Sequence, residues 1–351
     1  MILVDSEETV QRLATDLRGE QEFITVDTEF IREENQLPLL CLLQIATKSE
    51  NYVVDPIAID LNFLKPFFAS ENLKKVFHCA RQDIEILQNY GLEINNFYDT
   101  QLYEMVLSIK ENMSYQTIVL QYTGKKLKKN YGMSDWSKRP LSKKQLAYAS
   151  EDVTYLRKVY QKQIAQLKKL QRENWLNDEM SQLIEKNSLE DSLNEASHPL
   201  LYKLLSWRDE KSKEKKIAPE LLVSDRLIKS ICKKGIEYIR NLKNSRNLAD
   251  DREFLDYAET VAEDFSPERI QTDRNPMVDL LKTLLSIKSK QYNIAPIMIA
   301  SVKDLLRLVN GDRSVKFLRG WRQDVFGNSA LDLLGGKIKL GIENSEVVLY
   351  E

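Results

Sequence analysis

Histidine, cysteine and glycine are scarce in this chain of 351 residues, which contains 2 His, 3 Cys and 11 Gly. With only two histidines, His78 and His198, the chain has few residues that could form a zinc site or a Ser-His-Asp triad. The scattered cysteines Cys41, Cys79 and Cys232 lie in apolar surroundings, which is typical of reduced thiols. These shortages favour oxygen-ligated metals and predict a cytoplasmic protein.

Long apolar runs, a cationic leader and a glycine-rich phosphate loop are also missing. The apolar stretches, such as residues 37–46, are too short for a transmembrane span. The start MILVDSEE has neither a positive charge near its beginning nor a cleavage signature, so we expect no secretion and no membrane partner. The absence of a Walker-type loop argues against an ATP-driven motor and predicts no nucleotide cofactor.

The candidate functional residues are four carboxylates and a tyrosine, and two of the carboxylates lie in one apolar run. Asp27 and Glu29 belong to FITVDTEFI (23–31), whose β-branched and aromatic residues predict a central strand. Because side chains alternate along a strand, both carboxylates are expected on one face.

The other three candidates lie in segments that predict helices. Tyr148 and Asp152 are four residues apart in a run with helical apolar spacing, so they are expected on one helix face. Asp83 lies near the start of a helix that follows the predicted strand KVFH (75–78). It is therefore expected at the carboxyl end of a strand, where open α/β sheets hold their ligands.

Each of these pieces alone is weak evidence. An Asp-x-Glu tripeptide is expected about once by chance in a chain of this length, and a helical Tyr-x-x-x-Asp usually reflects a half-buried ring and a solvated carboxylate. Burying an Asp and a Glu inside an apolar strand is costly, however, unless a cation or a proton neutralises them. Together these residues are a ligand set with which two divalent cations, Mg²⁺ or Mn²⁺, can cleave a phosphodiester bond.

Composition is that of a globular protein of two or three domains, with 42% hydrophobic and 30% charged residues. The net charge of −2 conceals a division, because residues 1–124 carry 9 basic and 20 acidic side chains, whereas residues 125–172 carry 14 and 3. Such a run is most often a solvated helix face. This one adjoins the candidate metal ligands, as a phosphate-binding groove would, and its candidate nucleic-acid-binding residues are Lys125, Lys126, Lys128, Lys129, Lys138 and Arg139.

Alternation of strand and helix patterns predicts an α/β domain with a mixed sheet, which ends near residues 165–170. The predicted strands are 23–31, 39–46 and 52–54, as an antiparallel meander, followed by 75–78 and 96–98. The predicted helices are 7–17, 61–68, 82–90, 100–108, 115–122 and one from 143 onward. Beyond this domain the strand signal almost disappears.

The C-terminal half contains an internal repeat with an offset of 77 residues. The tripeptide Ile-Ala-Pro occurs at 217–219 and again at 294–296. The same offset aligns apolar positions on either side of it. Each copy reads as a helix, a proline-containing turn and a second helix, which predicts two related helical modules. The stretch DFSP (264–267) is the predicted boundary between them.

The combined motifs resemble the ribonuclease D family, in the tyrosine subtype of the DEDD superfamily. The likeness covers essentially the whole chain and includes the repeat, because members carry two HRDC helical modules after the nuclease domain. The first copy here is the better match to such a module. The segments that carry the likeness are VDTEF (26–30), FHCARQD (77–83), SDWSKRPL (134–141), YASED (148–152) and FLRGWR (317–322).

This resemblance implies a ribonuclease H-like α/β exonuclease domain followed by two all-α HRDC-type domains. The implied boundaries are 1–170 for the exonuclease, 171–194 for a helical connector, and 195–270 and 271–351 for the two modules. The implied activity is hydrolysis of RNA from the 3′ end, releasing 5′-mononucleotides, with transfer RNA precursors that carry 3′ extensions among the substrates. The modules would extend the RNA path through Lys211, Lys213, Lys215, Lys216, Lys233 and Lys234.

Carried over residue by residue, the resemblance implies a set of four metal ligands, Asp27, Glu29, Asp83 and Asp152. Asp27 would bridge the two ions. Tyr148, with help from Glu29, would orient the nucleophilic water, because a phenol with a pKa near ~10 is a poor base at neutral pH. Asp99, near a strand end, is interpreted as a supporting or structural residue, and His78 as a core or supporting group rather than a ligand.

Two alternatives stay open at this point. A DNA 3′–5′ exonuclease of the same superfamily uses the same carboxylates, and a protein distinguishes RNA from DNA at the 2′-hydroxyl. A catalytically silent nucleic-acid-binding protein is the second alternative, and the retention of all five site residues argues against it. The sequence leaves the oligomeric state and the choice of metal open.

Overall fold

The computed structural model describes residues 1–31, 38–127, 134–177, 179–180, 199–215, 219–243, 252–263, 275–344 and 346–350. The sequence predictions that fall outside these ranges concern His198, Lys128, Lys129, Lys216, the side chains of Lys213 and Lys233, the repeated residues 217–218 and the boundary at 264–267. Among the described residues, no helix combines the length and the apolar character that crossing a membrane requires.

The chain divides into two compact units. The first comprises Met1–Glu29, Cys41–Ser181 and Arg274–Glu351, and the second comprises Phe30–Leu40 and Gln182–Asp273. The C-terminal part of the chain thus belongs to the same unit as the α/β domain, whereas the first helical copy belongs to the other. The four predicted domain ranges, 1–170, 171–194, 195–270 and 271–351, stay predictions.

A mixed sheet of six strands lies at the centre of the α/β domain. Its order is β1-β4-β3-β2-β5-β6. β1 runs parallel to β4, β3 runs antiparallel to β4, and β2 and β6 each run parallel to β5. The predicted mixed sheet is confirmed, and its strands are β1 (Ile2–Val4), β2 (Phe23–Ile31), β3 (Leu39–Ala46), β4 (Asn51–Val54), β5 (Lys74–Phe77) and β6 (Phe97–Asp99).

The position of β2 between β3 and β5 follows from its composition. Its first four residues, Phe23 to Val26, are buried, and a β-branched and aromatic segment packs well when both edges are paired. β1 was not predicted, because three residues are too few to show a periodicity. β1 extends the sheet by pairing with β4, with Val4 opposite Val54.

Helices cover both faces of the sheet. Neighbouring residues of a strand point to opposite faces, and in β4 the Tyr52 hydroxyl donates to Asp16 of α1 whereas the Asn51 amide donates to Thr154 of α6. α1 and α6 therefore lie on opposite sides. The helices of this domain are α1 (Glu7–Gly19), α2 (Lys65–Phe68), which follows a 3₁₀ turn at Leu61–Leu64, α3 (Arg81–Asn89), α4 (Thr100–Met105), α5 (Tyr115–Thr123) and α6 (Lys143–Leu170).

The long helix α6 begins with a capping box. The backbone N–H of Gln145 donates to the Ser142 hydroxyl, and the Gln145 side-chain oxygen accepts from the backbone N–H of Ser142. Its buried positions include Ala149, Val153 and Leu156, which are spaced by three or four residues. The helix predicted from Lys143 onward is confirmed.

The 77-residue repeat is confirmed in the order of helices. α7 (Pro199–Lys215) and α12 (Pro276–Tyr292) begin at repeated prolines, as do the short helices α8 (Pro219–Leu222) and α13 (Pro296–Ile299). The third helix of each copy starts after a capping serine, Ser224 or Ser301, whose hydroxyl accepts a backbone N–H. These are α9 (Asp225–Lys234) and α14 (Val302–Val309), and the first copy continues with α10 (Ile236–Lys243) and α11 (Arg252–Glu263).

The second copy ends differently from the first, and its end departs from the all-α domain that was predicted. After α15 (Gly320–Arg322), a π turn at Gln323–Gly327 and α16 (Asn328–Leu334), the chain forms an antiparallel hairpin of β7 (Lys339–Glu343) and β8 (Glu346–Tyr350). The expected disappearance of strands is wrong at this hairpin. Gly341 allows the two strands of the hairpin to pack closely, because a Cβ atom at this position would lie 2.4 Å from the Tyr350 ring.

Backbone hydrogen bonds and stacked rings join the C-terminal part of the first unit to the α/β domain. The N–H of Ala295 donates to the Met105 carbonyl at 2.7 Å. Trp321 stacks on Trp175 with ring centroids 4.2 Å apart, and its indole N–H donates to the Trp175 carbonyl at 2.8 Å. Arg172 links the two parts again by donating to the Tyr292 carbonyl.

Candidate active site

Strand β2 and helix α6 supply the two halves of the site. Asp27 and Glu29 of β2 and Tyr148 and Asp152 of α6 all line one cavity. The predicted shared face of the strand and the predicted shared face of the helix are therefore confirmed. They meet because residues of α6 directly after Asp152 are attached to the sheet.

Four contacts hold α6 in this position. The hydroxyl of Thr25 in β2 donates to the Val153 carbonyl at 2.8 Å. Arg157, one turn further, donates to the carbonyls of Phe23 and Ala46 at 3.0 Å each, and its guanidinium lies 4.1 Å from the centre of the Phe23 ring. These contacts lie on the side of the helix that faces β2, so they fix the spacing between the strand and helix carboxylates.

The cavity has a volume of about 190 Å³. Oxygen atoms of Asp27, Glu29 and Asp152 lie within 4.8 Å of one another beside it. This spacing is what one or two cations with shared carboxylate ligands require. The cavity is completed by the residue that follows β5 and by residues from α5 and α6. Its lining consists of Asp27, Glu29, His78, Tyr115, Gln116, Tyr148, Asp152 and Leu156.

Asp83 lies next to this cluster. It occupies the first turn of α3, after β5, as the sequence predicted, and it is buried. Its carboxylate accepts a hydrogen bond from the hydroxyl of Thr28, the residue between Asp27 and Glu29. The structure thus brings all four predicted carboxylates together, three of them around the cavity and the fourth against the Thr28 side chain of the same strand.

Burial and the charges of neighbouring acids raise the pKa values of all four carboxylates. Burial, followed by the charges of Asp27, Asp152 and Asp83, raises the pKa of Glu29 to about 9. Burial and the charge of Glu151 raise the pKa of Asp152 to about 7. The pKa values of Asp27 and Asp83 also lie well above their usual range, mainly because of burial. A cluster of this kind holds protons until a cation replaces them.

Tyr148 faces these carboxylates with a protonated phenol. Burial and the charges of Asp152 and Glu29 raise the pKa of Tyr148 above its ordinary value. The Trp136 side chain, which is 1% exposed, lies with its ring centre 6.1 Å from that of Tyr148. The phenol therefore keeps its proton at neutral pH, so it can donate a hydrogen bond but cannot serve as a base.

The structure supports the interpretations of Asp99 and His78. Asp99 accepts hydrogen bonds from the backbone N–H groups of Cys79, Ala80 and Gln101, so it shapes the turn after β5 and caps α4. His78 borders the cavity, but its two ring nitrogens contact the Thr100 hydroxyl and the Met113 carbonyl at 2.9 and 3.0 Å. Its nitrogens are engaged by the fold and not directed at a cation.

Tyr115, Gln116 and Leu156 were missed as residues of the site. Tyr115 and Gln116 begin α5, and the Tyr115 hydroxyl donates to the Glu151 carbonyl of α6 at 3.0 Å. The serine cap at Ser114 indicated a helix start, but no sequence pattern indicated that this helix start lies beside β2. Leu156 is one turn beyond Asp152, so the helical spacing could have placed it on the same face.

The basic residues of the first segment differ in their environment. Lys125 and Lys126 are exposed, and Lys138 is exposed with an ion pair to Asp135 at 3.4 Å. Arg139 is different, because its five N–H donors contact both oxygens of Asp55 and the carbonyls of Cys41, Trp136 and Lys138. Its guanidinium is committed to the fold, which removes Arg139 from the set that we propose for phosphate binding.

Known proteins share both the sequence and the fold. A family model described as a 3′–5′ exonuclease matches residues 1–168. Ribonuclease D of Bartonella henselae is 34% identical over 93% of this chain and 88% of its own length, and ribonuclease D of Nitrobacter hamburgensis is 34% identical over 93% and 94%. The chain belongs to the ribonuclease D family.

The crystal structure of Escherichia coli RNase D has the same fold, with a TM-score of 0.73 and 21% identity over 95% of this chain and 98% of that one. Membership of the ribonuclease D family confirms the predicted exonuclease fold with a mixed sheet and a helical C-terminal part. It also confirms the predicted class of activity, because the chain is a hydrolytic 3′–5′ exoribonuclease of the DEDD type. Its acidic cluster suits divalent cations.

Proposed function

We propose that this member of the ribonuclease D family removes nucleotides singly from the 3′ end of RNA at a centre formed by five residues. The residues are Asp27, Glu29, Asp83, Tyr148 and Asp152. The observation that carries the proposal is the group of carboxylate oxygens from Asp27, Glu29 and Asp152 that lie within 4.8 Å of one another beside a cavity. The released products are 5′-mononucleotides.

The residues fit a pair of divalent cations. Asp83 is buried and the other three carboxylates are half-buried, and all four have raised pKa values. Such a group of acids is unstable in its ionised form, and bound cations would neutralise its charge in place of protons. Asp27, Glu29, Asp83 and Asp152 would hold two Mg²⁺ or Mn²⁺ ions. Bound ions of this kind supply hydroxide at neutral pH and stabilise charge on the departing 3′ oxygen.

Tyr148 has a separate task in this proposal. Its phenol keeps its proton at neutral pH, because burial and the nearby carboxylates raise its pKa. It therefore donates a hydrogen bond that orients the attacking water, while Glu29 accepts one from the same water. The Trp136 ring, whose centre lies 6.1 Å from that of the Tyr148 ring, would limit the orientations of the phenol.

Exposed lysines provide the surface along which the RNA chain approaches. Lys125 and Lys126 follow α5, which contributes to the cavity wall. In the second unit, Lys211 and Lys215 form exposed ion pairs with Glu253 at 3.2 Å each. Exposed pairs contribute little stability, so phosphate groups can replace the glutamate. We include Lys211 and Lys215 in the proposed RNA path for this reason.

We extend the proposal to precursors of transfer RNA with 3′ extensions, the substrate class that the family resemblance implies. Two helical modules of HRDC type would bind the structured part of such a precursor. A cytoplasmic location is also part of the proposal, because Cys41, Cys79 and Cys232 are free thiols, which suits a reducing compartment.

Digestion of a 5′-labelled RNA with added Mg²⁺ or Mn²⁺ tests the catalytic centre. The wild-type protein should give products that shorten by one nucleotide at a time, together with 5′-mononucleotides, and Asp27→Asn should reduce the rate to background. Asp5→Asn is the matched control, because Asp5 is an exposed acid outside the cavity. Equal rates for wild type and Asp27→Asn would show that the assigned centre is wrong.

A second digestion tests the proposed substrate class. A transfer RNA transcript with a short 3′ extension is compared with the same extension on an unstructured RNA. We expect the extension to be trimmed from the structured transcript with at least equal efficiency, measured as kcat/KM. Strong preference for the unstructured RNA would contradict the assignment to transfer RNA precursors.

A further inference from the structure

The polar side chains on the cavity wall differ in whether they form hydrogen bonds with other residues of the protein. His78 contacts the Thr100 hydroxyl and the Met113 carbonyl through its two nitrogens, and the Tyr115 hydroxyl donates to the Glu151 carbonyl. Gln116 lines the same cavity from the second position of α5 and is half-buried. We find no hydrogen bond between its side-chain amide and the residues that the structure describes.

The size of the cavity indicates which part of a nucleotide lies next to Gln116. Its volume of about 190 Å³ is below the range of roughly 300–1,000 Å³ that encloses a whole drug-sized ligand. The carboxylates on its wall belong to the phosphate chemistry of the proposed centre. Because the sugar is bonded directly to that phosphate, the cavity holds the sugar and phosphate, whereas the base extends outside.

We propose that the side-chain amide of Gln116 hydrogen-bonds the 2′-hydroxyl of the 3′-terminal nucleotide and so makes the enzyme prefer RNA to DNA. The inference rests on the proposed function, since it needs the terminal phosphate at the carboxylate cluster. A 2′-hydroxyl both donates and accepts hydrogen bonds. A primary amide offers an oxygen acceptor and two N–H donors, so one side chain matches both capacities. A deoxyribose presents neither.

The expected preference is moderate. Gln116 is half-buried, so water can hydrate its amide when a deoxyribose is bound. The missing interaction is then one neutral hydrogen bond, which corresponds to about a fivefold to tenfold change in kcat/KM. A fully buried amide left without a partner would discriminate far more strongly.

The test uses two oligonucleotides that differ in one atom. Both are RNA, but one ends in a 2′-deoxynucleotide, and single-turnover rates and kcat/KM are measured for removal of that last nucleotide. We expect wild type to favour the ribose end about fivefold to tenfold. Gln116→Ala should lower the rate on the ribose end and leave the deoxyribose rate unchanged, so that the ratio approaches one. Gln116→Asn should retain part of the preference.

Gln121→Ala is the matched control, because Gln121 lies in the same helix and its amide donates to Glu104 at 2.8 Å instead of facing the cavity. It should keep the wild-type ratio. Equal slowing of both substrates by Gln116→Ala would indicate a structural role or a contact with the 3′-hydroxyl, and would overturn the inference. An unchanged ratio would do the same. Failure of the wild-type protein to shorten either RNA would instead contradict the proposed function.

Discussion

The hydroxyl of Thr25 in β2 donates a hydrogen bond of 2.8 Å to the backbone carbonyl of Val153 in α6. Both side chains are fully buried. Asp27 follows Thr25 by two residues on the same face of the strand, and Asp152 directly precedes Val153. This hydrogen bond is therefore the contact nearest to the carboxylates among those that fix the distance between the strand half and the helix half of the cluster.

Replacing Thr25 by Val keeps the shape of the side chain and removes this bond. We expect Thr25→Val to lower the free energy of unfolding by about 1 kcal/mol and to raise the Mg²⁺ concentration needed for half-maximal activity. Urea unfolding and a magnesium titration measure the two effects. In Thr15→Val, which loses an exposed hydroxyl bond to the Gln11 carbonyl, the magnesium requirement should stay at the wild-type value. A magnesium requirement in Thr25→Val equal to that of the wild type would contradict the role of the hydrogen bond from Thr25.

Stabilisation of the protein by divalent cations should increase with pH. The folded-state pKa values of Glu29 and Asp152, about 9 and about 7, lie above their ordinary values, so the folded protein binds more protons than the unfolded chain between roughly pH 4 and 9. Without cations, the contribution of these groups to stability is present at low pH and is lost as the pH rises through 7 and 9. Cations remove this penalty by pairing with the ionised carboxylates.

Thermal unfolding with and without Mn²⁺ measures this dependence. The rise in Tm on adding Mn²⁺ should be clearly larger at pH 8.5 than at pH 6, and titration calorimetry should detect protons released on binding. Asp27→Asn should show a small rise that does not change with pH. A rise in Tm that is equal at both pH values in the wild type would disagree with the raised pKa values.

Local periodicity explains which parts of the site the sequence could predict. Asp27 and Glu29 share a strand face, and Tyr148 and Asp152 share a helix face, because each pair depends only on its own backbone. Gln116 could not be predicted, since α5 reaches the cavity only through packing against α6. The interaction of Arg139 with Asp55 joins residues far apart in the chain, and no local pattern distinguishes it from a phosphate-binding arginine.

Arg139 is expected to affect stability and not RNA binding. Its guanidinium pairs with Asp55, whose side chain is 6% exposed, so Arg139→Ala leaves a nearly buried carboxylate without its partner. We expect a loss of about 3 kcal/mol in urea unfolding. Arg139→Lys should recover only part of it, because an ammonium group cannot reproduce the five-donor fork. Loss of RNA affinity in a folded Arg139→Lys protein, without loss of stability, would contradict this assignment.

Lys125 and Lys126 should show the opposite behaviour. Both are exposed, so the double substitution to Ala should leave the urea midpoint unchanged. If they bind phosphates of single-stranded RNA, the slope of log K against log salt concentration should decrease by about 0.7 for each phosphate that the variant no longer neutralises. Filter binding to a catalytically inactive Asp27→Asn protein at several salt concentrations measures the slope. An unchanged slope would exclude these two lysines from the RNA path.

We expect the interactions of Trp321 to determine whether the C-terminal part of the first unit unfolds together with the α/β domain. Its ring stacks on Trp175 at 4.2 Å, and its N–H donates to the Trp175 carbonyl. Trp321→Ala removes both interactions, so we expect a loss of about 3 kcal/mol and a second, earlier unfolding transition for residues 275–350. Trp321→Phe keeps an aromatic stack and loses the hydrogen bond, which should cost about 1 kcal/mol without separating the transitions. Calorimetry distinguishes one unfolding transition from two. A single transition at the wild-type temperature in Trp321→Ala would contradict this prediction. It would show that the remaining interactions, such as that of Ala295 with Met105, hold the unit together without the stacked pair.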